Sequence, residues 1–111
     1  MSAPSADSYD MLYAKLNQET ARLPWRELLR HFASGSVIVV SDGMDLIEVA
    51  ARMATDDAKA MAAWLENGSV ARATDDQAQA WLAADLDMWT VVVKPWVLVQ
   101  QRKEPAAKSL H

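Results

Sequence analysis

The stretch Trp89-Thr90-Val91-Val92-Val93-Lys94-Pro95-Trp96-Val97-Leu98-Val99-Gln100 constrains this chain more than any other. Eight of its side chains are apolar, and only Thr90, Lys94 and Gln100 are polar. Such β-branched and aromatic density predicts a strand buried on both faces. The helical segments upstream are then the material that covers those faces. Pro95 cannot donate to a ladder, so the strand is expected to bend, bulge or lie at an edge there.

The remaining material suffices for one domain. The chain has 111 residues, and apolar types make up 51% of them, enough for a core. The domain is expected to span residues 8–102, with flexible tails at 1–7 and 103–111. There is no cysteine, which rules out disulfides, thiol nucleophiles and thiolate metal sites and suits a reducing cytoplasm. Residues 1–10 lack the basic start and apolar run of a signal peptide. No apolar run approaches the roughly 20 residues that span a bilayer. The expectation is a soluble, cytoplasmic protein.

Along the chain, Tyr9, Leu12, Tyr13 and Leu16 line one face of a helix expected over Ser8–Ala21. Leu23-Pro24 is expected to end it and start a second helix, on which Trp25, Leu28, Leu29 and Phe32 repeat the spacing and which Gly35 closes. Val37-Ile38-Val39-Val40 predicts a strand, and Asp42-Gly43 a hairpin. Residues 45–55 fit two patterns. As a helix, Leu46, Val49, Ala50 and Met53 share a face and Asp45 with Glu48 forms a capping box. As a strand, Ile47, Val49, Ala51 and Met53 point one way.

An internal similarity tips the balance toward strand. Ala51-Arg52-Met53-Ala54-Thr55-Asp56-Asp57 is echoed by Ala71-Arg72-Ala73-Thr74-Asp75-Asp76, and an Ala-Trp-Leu follows each. In both copies Thr reads as a helix N-cap with aspartates in the first turn; Thr74 and Gln77 add a capping box. Helices are expected over 56–66, closed by Asn67-Gly68, and 75–85, with a short strand at 69–73. The result is an α+β domain of order α-α-β-β-α-β-α-β. Its small mixed four-stranded sheet is packed with about four helices, and two β-α-β crossovers make parallel connections.

The search for chemistry is mostly negative. His31 sits near a helix end and His111 is the last residue; neither offers zinc-ligand spacing. Asp56/Asp57 and Asp75/Asp76 are accounted for by helix starts. Gly-x-Ser-x-Gly is absent, and three glycines leave no phosphate loop. No cofactor or metal and no catalytic residue is expected. The remaining candidates are Glu48, a strand carboxylate that could face a cleft, and Trp89 and Trp96, which flank the main strand. Trp96 would anchor a partner if one sheet face were uncovered.

Three blocks look familiar: Leu12–Asn17 through Pro24–Leu28, then Asp45–Ala50, then Trp89–Gln100, whose Pro-Trp-Val-Leu-Val-Gln is the most specific. Over residues 10–101 the chain resembles a family of small bacterial proteins catalogued as domain of unknown function 2288. The resemblance implies a bacterial, soluble, single-domain protein and transfers no catalytic residue. The residues therefore point first to a non-catalytic module that binds a protein partner or itself, as a homodimer, through a sheet face or edge. The rival is a small enzyme or ligand-binding protein with a carboxylate site at Glu48 or Asp45. Nucleic-acid binding through Arg22, Arg26 and Arg30 is third, and a net charge of −4 disfavours it.

Overall fold

The computed structural model describes residues 6–101. The expected tails, with His111, lie outside the described residues apart from Ala6 and Asp7, which are in the first helix. Five helices surround one mixed five-stranded sheet. Helix α1 covers Ala6–Glu19, and strand β1 covers Ala21–Pro24. A 3-10 turn at Trp25–Leu28 runs into the short helix α2, Leu29–Ala33. Then come β2 (Val37–Val40), α3 (Leu46–Ala54), α4 (Ala58–Asn67) and β3 (Val70–Arg72). Helix α5 (Asp75–Ala83) leads to β4 (Asp87–Val93) and β5 (Trp96–Gln100).

The organising stretch forms two strands; residues 97–100 are buried on both faces, while Val92 is 49% exposed. It doubles back at Lys94-Pro95, whose peptide is cis, so Val93 pairs with Trp96 and Trp89 with Gln100. The sheet order is β1-β4-β5-β2-β3. Only β2 and β5 run parallel; the other neighbours are antiparallel.

Alternation divides the core in two. Ile38, Val40, Val70, Val91 and Leu98 point to one face, where Leu16 of α1 and Leu46, Ile47, Val49, Ala50 and Ala51 of α3 cover them. Val37, Met88, Val97 and Val99 point to the other, against Trp25, Leu28, Ala78 and Trp81. Trp25 packs edge-on against Phe32 and Trp81, with centroids 5.8 and 4.9 Å apart. Buried Gln100 donates from Nε2 to the carbonyls of Ser41 and Met44, at 2.8 and 2.7 Å, and so ties the end of β5 to the loop before α3.

Several expectations are corrected. The fold has five strands rather than four, and the order differs. Residues 45–55 are helical, because the Asp45 side chain accepts from the Ile47 and Glu48 amides at 3.0 and 3.3 Å and nucleates the first turn. Asp42-Gly43 therefore leads into α3 instead of closing a hairpin. Thr55 ends α3 rather than starting α4; Asp57 is the cap of α4 and accepts from the Ala60 amide at 3.1 Å. Neither expected crossover makes a parallel pair, since the first loses its opening strand to α3 and β3 is not a neighbour of β4 in the sheet.

Leu23-Pro24 lies in an edge strand. The Trp25 amide bonds the Leu86 carbonyl, so ladder bonds alternate through residues 23 and 21 and the position of Pro24 faces outward. A missing N–H costs nothing there. Thr74 and Gln77 do form the capping box, and Gly35 and Gly68 end their helices at φ 79° and 84°.

Candidate functional site

A cleft of about 340 Å³ opens on the α1/α3/α4 side of the sheet, between α4 and the β3 edge. Ile38 and Val70 form its floor, Met53 and Met61 its helical wall, and Trp96 one end. Helix α4 creates this space because it packs loosely: none of its residues is fully buried, and Leu65 is 54% exposed at the cleft rim. Its start is displaced from α3 by a turn in which Asp56 takes φ 57°, left-handed backbone that Asp tolerates.

Trp96 is half-buried. It opens β5 immediately after the turn, and period-two alternation puts it on the same face as Leu98. Arg72 reaches this ring from β3, with its guanidinium carbon 5.5 Å from the ring centre. Among the described residues Arg72 makes no ion pair. Asp56 and Asp57 stand on the opposite rim. The charge of Asp57 is met by Arg52 Nη1 at 3.3 Å, and Arg52 also bonds Glu48 at 3.4 Å. The cleft thus has an apolar interior, an unpaired guanidinium on one lip and the exposed Asp56 carboxylate on the other.

Glu48 lies outside the cleft. It is on α3, beside Tyr9 and Arg52, and Arg52 lies over the Tyr9 ring at 5.5 Å. Asp45 caps α3 and accepts from the Tyr13 hydroxyl at 2.6 Å. Burial, and then that hydrogen bond, push Tyr13 up to about 12. Burial, followed by the charge of Glu48, also raises Tyr9. These contacts anchor α1 on α3. Trp89 sits near the β1 edge with Arg22 at 5.6 Å, four residues along β4 from the position opposite Trp96. Of the three expected surface residues, then, only Trp96 lines the cleft.

Arg22, Arg26 and Arg30 share no helix face: Arg22 is on a strand, Arg26 in the 3-10 turn paired with Asp85 at 2.6 Å, and Arg30 on α2. His31 is exposed. No group of three His, Cys, Asp or Glu side chains among the described residues could hold a metal. None of the described helices is long and apolar enough to cross a membrane. The sequence reading missed Met53, Met61, Leu65 and Arg72. The one signal available was Arg72, a lone cation in an otherwise apolar short strand.

Fold and cleft together define a small three-layer α+β domain with a mixed sheet between helices. The chain belongs to the family described as "Protein of unknown function (DUF2288)", whose model matches residues 11–101. It is similar to the solution NMR structure of PA1075 from Pseudomonas aeruginosa, with 41% identity and a TM-score of 0.74. That match covers 93% of this chain and 95% of that one. No curated protein matches.

Proposed function

We propose that this protein is a non-catalytic binding module that takes an apolar side chain of a protein partner into the Trp96 cleft. The observation that carries this is a half-buried tryptophan at the end of an open apolar cleft, in a molecule whose sheet is otherwise closed. Helices cover both sheet faces apart from Val92 near the end of β4, which is 49% exposed. The edges are blunted as well. Pro24 removes a donor from β1, and β3 offers three residues, of which Val70 is fully buried. A partner therefore gains little by extending the sheet, and a second copy would also bring a second charge of −4. Tryptophan is a frequent anchor of binding energy, and the two methionines can repack around different guests. The cysteine-free composition fits a bacterial cytoplasmic setting for this interaction.

Selection from a display library of peptides tethered at both ends tests the proposal. Bound peptides should shift the amides of residues 53–72 and the Trp96 indole. Trp96→Ala should weaken them by roughly 30-fold, as hot-spot truncations do. Leu65→Ser, on an exposed position that risks no folding defect, should weaken them several-fold, and Met11→Ser should change nothing. Peptides that bind Leu65→Ser and Trp96→Ala as tightly as the parent, or a selection that returns no binder, would overturn the proposal.

A further inference from the structure

We infer that the group recognised by this cleft is the C-terminal residue of a partner chain, its apolar side chain inside and its terminal carboxylate on Arg72. This rests on the binding role proposed above and adds the chemistry of what is bound. Charge complementarity is the first argument. The Arg72 guanidinium is exposed at the lip, lies over the Trp96 ring at 5.5 Å and is without an ion pair among the described residues. A guanidinium held over a ring can still direct its N–H donors to an anion, and those donors match a carboxylate in bidentate geometry.

The second argument is geometric. One apolar pocket and one cation share the same side of β3. In an extended segment neighbouring side chains point to opposite sides, so an adjacent Asp or Glu cannot enter with an internal apolar residue, and the nearest acid on the same side stands two residues, roughly 7 Å, away. At a chain end the carboxylate and the apolar side chain hang from the same Cα, and both can.

The third argument is exposure. Asp56, Ala58, Leu65 and Arg72 are all exposed around the opening. A free small acid usually needs most of its surface enclosed, roughly 70–90%, which an open cleft does not supply. A chain terminus needs only its last residue enclosed. The Asp56 carboxylate works against the bound anion, and this gives the inference a second, independent test.

The experiment titrates four fluorescein-labelled hexapeptides, ending in Leu, Ile, Met or Phe, into the full chain. Each is used as the free acid and as the C-terminal amide, with octanoate and octanol as small probes. At least one free acid should bind about 10-fold more tightly than its amide, the scale of a charge-assisted hydrogen bond. Arg72→Gln should bring the acid down to the level of the amide and leave the amide unchanged. Asp56→Asn should tighten the acid about 2-fold. Equal binding of acid and amide overturns the inference, and so does the absence of any bound hexapeptide. The binding role itself is judged separately, because the display library carries no free termini. Octanoate binding more tightly than every hexapeptide would make this a small-acid site and overturn the inference. Weaker binding of the acid by Asp56→Asn would show that the carboxylate is not bound near this rim and would overturn it too.

Discussion

Asp45→Ala is the sharpest test of how α3 is held. The side chain serves three donors: the amides of Ile47 and Glu48 at 3.0 and 3.3 Å and the Tyr13 hydroxyl at 2.6 Å. Losing an N-cap costs about 1 kcal/mol. Stranding the Tyr13 hydroxyl adds roughly 1–2 kcal/mol, the lower part of the range for an unpaired buried donor, because both residues are only half-buried. The sum is about 2–3 kcal/mol, a large share of a stability of roughly 5–15 kcal/mol. Asp45→Asn keeps an acceptor oxygen at the cap and should cost about 1 kcal/mol. Urea denaturation at neutral pH measures all of these, provided the slope m is unchanged. A double-mutant cycle with Tyr13→Phe should show a coupling of about 1 kcal/mol. A cost below about 0.5 kcal/mol for Asp45→Ala, or strict additivity in the cycle, would show that the cap does not hold this helix.

Two further outcomes are expected. Tyr13 stands at about 12 in the folded protein against an ordinary 10.0, so its neutral hydroxyl stabilises the fold fully below pH 10. That contribution should drain away as pH rises from 10 to 12, while Tyr13→Phe shows a flatter decline; thermal melts across that window decide it. Among the glycines, Gly68 has φ +84° with open space around it, so Gly68→Ala should cost about 1 kcal/mol from backbone alone. Gly43 has no such φ and nothing within 4 Å, so Gly43→Ala should be neutral or stabilising by up to about 1 kcal/mol in the same melts.

Much of the site was beyond reach of the sequence, for reasons visible in particular residues. Trp96 stood out because a large aromatic beside a strand-breaking proline is conspicuous in one dimension. Arg72, Met53 and Leu65 did not, because the cleft exists only where α4 fails to close over β3. That gap is a property of helix placement and not of any local pattern. Glu48 fits a strand pattern in one dimension, and on α3 it instead joins Arg52 in an i, i+4 pair.

Local chemistry determined the features that act over four or five residues. The Thr74–Gln77 capping box, the left-handed glycines after two helices and the apolar face of α1 all formed as their residues dictate. So did the two-sided burial of Val97, Leu98 and Val99 in the organising stretch. Tertiary structure decided the two near-identical Thr-Asp-Asp sites. Thr74 follows β3, which β2 holds extended, and at ψ 162° it starts a helix. Thr55 follows α3, whose apolar face is already fixed against the sheet, and at ψ 13° it ends one. A cap residue can act only on the backbone geometry delivered to it, and distant strands and helices deliver that geometry.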